Sequence, residues 1–248
     1  MSEFRLDGRH AVITGASRGI GGAIARSFAE AGAAGLTLIG RSREALEDVA
    51  SEAARLGADA RAVVCDVTDT DAFDAVFDGL DAVDVLVCAA GANAPQALED
   101  LDLDTADRLW ALNVRAGLHA AREAVRRMPA EGGVVVFVSS QMGHVGAPRR
   151  SVYCATKHAV EGMTKALAVE LAPRGVRVVS LAPTFVATDM TAPFLADPGF
   201  RADVLRRIPL GRLGTVEEVA AAAVYAASPA ASSLTGCSVL LDGGWTAQ

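Results

Sequence analysis

The chain has 248 residues, of which 51% are hydrophobic and 21% charged, and its formal net charge is -7. This composition excludes a disordered chain and supports one large α/β domain with a full core. There is no basic run and no interleaving of basic with aromatic residues, which argues against a nucleic-acid surface. No uninterrupted apolar run reaches the roughly 18 residues of a transmembrane helix, and the opening MSEFRLDGRH lacks the apolar core of a signal peptide. A cytoplasmic protein is therefore expected, with neither membrane nor nucleic acid as a partner. Cys65, Cys88, Cys154 and Cys237 form no CxxC pair and no Cys/His cluster with zinc spacing. Reduced, mostly buried thiols and no metal are expected.

Apolar runs of strand length recur along the chain. They are HAVIT from His10, LTLIG from Leu36, ARAVVC from Ala60, VDVLVCAA from Val83, GVVVFVSS from Gly133, VRVVSLAP from Val176 and SVLLDGG from Ser238. Most are continuously apolar, as strands buried on both faces should be. Helical patterns lie between them, and several stop at glycine. Strands alternating with helices predict a single doubly wound α/β domain over residues 1–248, with a central parallel sheet and helices on both faces.

After the first strand, Gly15, Gly19 and Gly21 follow the pattern T-G-x-x-x-G-x-G and open a helix. Glycines let the backbone approach a pyrophosphate, and a helix N-terminus offers free N–H groups. The same pattern serves a plain tight turn. At the end of the second strand stand Gly40 and Arg41, where a NAD-specific site carries an acidic residue. Arg41 can pair with a 2′-phosphate, and Arg18 in the glycine loop adds a second positive charge. NADP is therefore the preferred cofactor, with NAD possible. Asp66, closing the third strand, is placed to meet an adenine edge.

Later in the chain, Tyr153 and Lys157 stand four residues apart in a helical segment, on one face. A free tyrosine, with a pKa of about 10, is a poor base at neutral pH. An adjacent ammonium is expected to lower it and make Tyr153 a usable acid/base. Thr184–Gly214 carries three prolines and no clean strand, and is read as a substrate lid.

Together, TGASRGIG from Thr14, Asn113 in ALNVRAG, Ser140 in FVSSQMG and Tyr153-x-x-x-Lys157 make the chain resemble the short-chain dehydrogenase/reductase family, from about Arg9 to the closing LLDGGWTAQ. The resemblance implies a Rossmann-type fold and a catalytic set of Asn113, Ser140, Tyr153 and Lys157. Lys157 would also hold the nicotinamide ribose, Ser140 the reacting oxygen, and Asn113 a water on a proton path from Lys157. It implies a cofactor cradle of Gly15, Ser17, Arg18, Gly19, Ile20, Gly21, Arg41, Asp66, Val67, Ala89, Ala90, Gly91, Val186 and Thr188, besides Tyr153 and Lys157. A homotetramer is expected, partly from the family and partly from Ala-rich helix faces.

The chain departs from the family pattern in three places. Cys88-Ala89-Ala90-Gly91 replaces N-N-A-G and loses an asparagine hydrogen bond. Pro183-Thr184 replaces P-G, so this turn must take ordinary backbone angles. Cys154 follows the tyrosine and is assigned no chemistry.

The activity these residues imply is hydride transfer between a nicotinamide and a secondary alcohol or ketone. A sugar, sugar acid or polyol is the leading small-molecule substrate. A 3-oxoacyl thioester or an apolar cyclic ketone is the alternative, and a non-catalytic nucleotide-binding regulator is a reading of another class. Candidate substrate contacts are Gln141, Met142, His144, Arg149, Arg150, Phe185 and Met190. Either arginine would grip a carboxylate; Met142, Phe185 and Met190 would equally wall an apolar pocket.

Overall fold

A computed structural model describes residues 3–248. The first strand, β1 (His10–Thr14), lies inside the sheet, with Ala11, Val12 and Ile13 fully buried. Six more follow: β2 (Gly35–Gly40), β3 (Asp59–Val64), β4 (Val85–Cys88), β5 (Gly133–Val138), β6 (Val176–Pro183) and β7 (Cys237–Leu241). All pair in parallel, in the order β3-β2-β1-β4-β5-β6-β7. Each corresponds to one of the apolar runs read from the sequence.

Helices α1 (Gly19–Glu30), α2 (Arg43–Arg55) and α9 (Val216–Ala227) cover one face. There Ile24, Phe28, Leu46 and Val219 pack on Ile13, Leu38, Val87 and Val136. Helices α3 (Thr70–Asp78), α5 (Ala116–Arg127) and α6 (Ser151–Leu171) cover the other. There Phe73, Phe77, Ala120 and Val160 pack on Val12, Ile39, Leu86 and Phe137. Neighbours Val12 and Ile13 enter opposite cores, as the pleat of a strand dictates. Each such buried Val, Leu, Ile or Phe side chain contributes about 1.5–3 kcal/mol. Strand order reverses between β1 and β4, which opens a crevice at the carboxyl ends of the strands, where open α/β sheets bind ligands.

Two segments differ from the sequence reading. The run from Thr105 to Met128, whose pattern is that of one continuous helix, is α4 (Leu103–Trp110) and α5 joined by a π-helical turn, Ala111–Arg115. Thr184–Gly214, read as irregular, contains α7 (Ala192–Leu195) and α8 (Pro198–Arg207). Two of its three prolines open helices instead of interrupting them: Pro193 and Pro198 lie in the first turns, and Asp197 caps α8 by accepting from Phe200 N–H at 2.8 Å. The ends of this segment are tied together, with Val186 bridging Gly214 and Gly214 N–H donating to the Phe185 carbonyl at 3.0 Å. Among the described residues, no helix is long and apolar enough to cross a membrane. The four cysteines are free; Cys65 and Cys88 are buried, Cys154 and Cys237 half-buried.

Candidate active site

The chain leaves β1 at Thr14, and Gly15 takes φ +68°, a conformation that suits glycine. A Cβ on Gly15 would stand 2.7 Å from Ala90 N, and one on Gly21 would stand 2.3 Å from the Gly15 carbonyl oxygen. Both positions therefore require glycine, and they bring the N-terminus of α1 against the loop after β4. The first N–H groups of a helix have no intrahelical partner, so this helix end suits an anion. Ser17 packs toward Gly40, and Thr188 closes on Gly19, 3.7 Å from where its Cβ would be. Ile20 is partly buried against the α1–α2–α9 core. The Ala89–Gly91 stretch keeps its place without the family's asparagine: Ala89 N–H donates to the Thr14 carbonyl and Ala90 N–H to Thr14 Oγ1, each at 3.3 Å. This cradle fits a dinucleotide.

At its outer end, Arg41 is 77% exposed and stands 4.0 Å from Asp66. One Asp66 oxygen accepts from both the Thr68 N–H and hydroxyl, and these bonds hold its carboxyl below the usual range. Val67 beside it is buried. Arg18 pairs with Asp189 at 3.4 Å, across from the glycine loop to the segment after β6. That pair leaves Arg41 as the cation less committed to a protein partner.

The chemical end forms where β5 stops and α6 starts. Ser140 ends the strand extension, and its Oγ accepts from Met142 N–H at 3.2 Å. Lys157 is 5% exposed, donates to the Val138 carbonyl at 2.9 Å, and lies 5.7 Å from the Tyr153 ring centroid. The expectation that Lys157 lowers the Tyr153 pKa requires correction. Burial pushes the phenol above its ordinary value, and the groups that oppose the rise are Ser140, by hydrogen bonding, and the Arg150 guanidinium. Lys157 is itself pulled down to about 8 by burial, which the charge of Glu161 partly offsets.

The π-helical turn delivers Asn113 to this place. It is buried; its Oδ1 accepts from Ala92 N–H at 2.9 Å, and its Nδ2 donates to the Ala92 carbonyl at 3.0 Å and Thr156 Oγ1 at 3.1 Å. A Cβ on Gly91 would stand 3.2 Å from Asn113 Oδ1 and 3.8 Å from Lys157 Nζ, so all three meet at one point. The turn and the Thr156 partner were not legible in the sequence. A π-helical turn at a functional asparagine is a recurrent device.

The candidate substrate residues separate. Arg150 is 6% exposed, with its guanidinium 4.8 Å from the Phe194 ring centroid and Nη1 donating to Asn93 at 3.4 Å. Arg149 is exposed and adopts φ 60°. Gln141 and Met142 are buried, and among the described residues Gln141 Oε1 has no hydrogen-bond partner. Phe185 packs edge-on to Phe200 and against Trp245, whereas Met190 is exposed. His144 does not join them. Its Nε2 lies 3.0 Å from Ser238 Oγ and 3.4 Å from Glu161, which turns the ring to the β7 side. Asn93 and Trp245 were not singled out in the sequence, because nothing local marks them. Thr184 keeps ordinary backbone angles, as its side chain requires.

Elsewhere, Asp74, His119 and Glu123 lie close enough to hold a cation. Glu123 already takes three arginines, and His119 bonds Asp74 at 2.6 Å. The cluster is charge-balanced without a metal.

Known proteins place this arrangement. A family profile described as enoyl-(acyl carrier protein) reductase matches residues 15–246. The chain is 45% identical to galactitol 2-dehydrogenase (L-tagatose-forming) of Cereibacter sphaeroides, covering 98% of this chain and 97% of that one. It is 40% identical to D-threitol dehydrogenase of Mycolicibacterium smegmatis, over 98% and 95%. The crystal structure of a gluconate 5-dehydrogenase from Burkholderia cenocepacia, in complex with NADP and tartrate, superposes with a TM-score of 0.94 at 33% identity, over 99% of this chain and 98% of that one. With near-complete coverage in both sequence and structure, and with the glycine cradle and Tyr153–Lys157 pair on one sheet edge, the chain belongs to the short-chain dehydrogenase/reductase family of oxidoreductases.

Proposed function

We propose that the protein transfers a hydride between NADP(H), in preference to NAD(H), and the carbinol or carbonyl carbon of a polyol, sugar or sugar acid. The observation that carries the reading is the meeting of Ser140, Tyr153 and Lys157 beside the glycine cradle at one sheet edge. The nicotinamide, when bound, supplies or accepts the hydride.

The chain's own groups do the rest. Gly15, Gly19 and Gly21 admit the phosphates, with Ser17, Arg18 and Ile20 around them. Arg41 takes the 2′-phosphate, and Asp66 and Val67 border the adenine. Ala89–Gly91, Val186 and Thr188 line the path to the nicotinamide. Ser140 holds the substrate oxygen. Tyr153 gives that oxygen a proton in reduction and takes one in oxidation. Its raised pKa keeps the phenol protonated before the reaction, ready for the reductive direction. Lys157 holds the ribose and maintains positive charge beneath Tyr153, and Asn113 fixes the backbone next to it. Residues 184–214 act as a lid.

Arg150 and Gln141 support the substrate class. A buried guanidinium on the lid's Phe194 is already desolvated, so a carboxylate or polyol brought against it gains a strong charge-assisted bond. A substrate hydroxyl would satisfy the orphaned Gln141 Oε1. The polyol and sugar-acid activities in the relatives' names agree. Arg150→Ala is expected to raise KM for a sugar acid about tenfold or more relative to its uncharged analogue, the scale of a charged hydrogen bond. Arg149→Ala should leave that ratio unchanged. If Arg150→Ala leaves it unchanged as well, the carboxylate clamp is wrong.

A 3-oxoacyl thioester is the second reading, favoured by the acyl-carrier reductase description of the matching profile. Higher kcat/KM for a 3-oxoacyl thioester than for any polyol-derived ketone would install it. The walls of Met142 and Phe185 serve an apolar cyclic ketone in the same way. A regulator without turnover is disfavoured by the complete Asn113–Ser140–Tyr153–Lys157 set. The proposed setting is cytoplasmic and the assembly a homotetramer, for which the groove between α5 and α6, bordered by Leu118, Val125, Leu167 and Leu171, offers apolar surface to a second copy.

A further inference from the structure

One turn beyond Lys157 on α6 stands a second ionisable side chain that the reaction scheme does not use. Glu161 is 4% exposed. Its carboxylate is held from three directions. Ser180 Oγ of β6 donates to Oε2 at 2.8 Å, and Ser238 Oγ of β7 donates to Oε1 at 3.2 Å. His144, in the loop after β5, lies 3.4 Å from Oε1 and 3.0 Å from Ser238 Oγ. The backbone closes over it: a Cβ on Gly143 would stand 2.9 Å from Glu161 Cγ and 3.0 Å from the Lys157 carbonyl oxygen. Hydrogen bonds of this kind fix a side chain and keep a buried carboxylate tolerable.

Buried carboxylates are rarely kept without a partner charge. Residues at i and i+4 on a helix lie one above the other, so Glu161 is directly behind Lys157. The titratable groups that face it, among the described residues, are Lys157 on its own helix, His144 from the loop and Cys237 from β7. The contact from β6 is the uncharged Ser180.

We infer that Glu161 is a positioning residue for the reaction: its fixed charge sustains the Lys157 ammonium, and Ser180, Ser238 and His144 set its place. The inference rests on the reading that Tyr153 and Lys157 carry the chemistry. Burial alone draws the lysine toward neutrality, and the Glu161 charge is the influence that opposes it. Without that charge, Lys157 would lose its proton at lower pH, and the positive charge beneath Tyr153 with it.

The sign follows directly. A neighbouring negative charge favours the protonated form of Lys157. Removing it lowers the pH at which Lys157 gives up its proton. In the proposed reading the Lys157 ammonium holds the ribose and keeps positive charge beside the phenolate that Tyr153 becomes on giving up its proton, so the alkaline limb of ketone reduction should move to lower pH with the lysine.

The experiment compares pH profiles of reductive kcat/KM for wild type, Glu161→Gln and Glu161→Asp, alongside Tyr153→Phe. Lys157 is also titrated directly by NMR of labelled lysine. The sequence holds two lysines, Lys157 and Lys165, and Lys165 is exposed and serves as the reference signal. Glu161→Gln is expected to shift the alkaline limb and the Lys157 titration down by about one pH unit or more, with the rate near pH 6 close to wild type. Glu161→Asp keeps the charge and should lie between the two. If the glutamine variant does not fold, the aspartate variant carries the test, with a smaller shift in the same direction. A uniform loss of rate, with limb and lysine titration unmoved, would make Glu161 a structural anchor only and overturn the inference. An active Tyr153→Phe would instead overturn the reading beneath it.

Discussion

Tyr153→Phe is expected to lower kcat by about 10²–10⁴, the usual worth of a general acid/base, and to leave cofactor affinity within a few-fold of wild type. The phenylalanine ring fills the same space between Ser140 and Lys157, so packing is preserved. What disappears is the hydroxyl that burial pushes above its ordinary pKa, against the opposing pull of Ser140 and Arg150. In the proposed reading cofactor binding rests on the glycine cradle and on Lys157, neither of which, among the described residues, hydrogen-bonds the lost oxygen. Stopped-flow turnover and fluorescence titration of the cofactor separate the two effects. Retention of more than about a tenth of the rate, roughly 1.4 kcal/mol of barrier, would assign the proton to another group.

The second large effect is expected from Arg41→Asp. Wild type should use NADP(H) with higher kcat/KM than NAD(H), and the aspartate variant should reverse that order. The reversal has two parts: loss of a guanidinium–phosphate pair, and repulsion of the 2′-phosphate by the new carboxylate next to Asp66. A change in the preference ratio of about 10²-fold or more is the expected scale for exchanging a charged hydrogen bond for a like-charge contact. Arg18 is the competing cation, but its pairing with Asp189 at 3.4 Å makes it the weaker candidate. Arg18→Ala should therefore alter the ratio much less than Arg41→Asp. Wild type that uses NAD(H) equally well or better would remove the 2′-phosphate argument.

The strands and the glycine turn were legible in the sequence because their signals are local. A strand buried on both faces writes a continuous apolar run, and a turn at which an added Cβ would stand 2.7 Å from another loop admits no side chain. The Tyr153–Lys157 pair was legible for the same reason, since helical spacing fixes their common face. Electrostatics was not legible. That Tyr153 is raised instead of lowered depends on how much of the protein surrounds it, against the opposing pull of Ser140 and of Arg150, which follows a residue at φ 60° just before α6. The two neighbouring arginines have equal claims as residue types, yet one is buried on Phe194 and the other is exposed. His144 likewise had a place near the pocket by its position in the chain, but its partners, Ser238 and Glu161, come from distant β7 and from α6. The π-helical turn at Asn113 left no mark, because an extra residue in one helical turn changes no pattern that a sequence displays.

The central claim is hydride transfer to a secondary carbon with Tyr153 handling the proton. Its most direct test incubates the purified protein with NADPH deuterated at nicotinamide C4, on the transferring face as established by trying both labels, together with ketose and keto-acid substrates. The product is then examined by mass spectrometry and NMR. The account predicts one deuterium per product molecule, on the new carbinol carbon, and its disappearance along with turnover in Tyr153→Phe. Tight cofactor binding with no deuterium transferred to any ketone from polyols, sugar acids, cyclic ketones or 3-oxoacyl thioesters would contradict the account and favour a nucleotide-binding regulator.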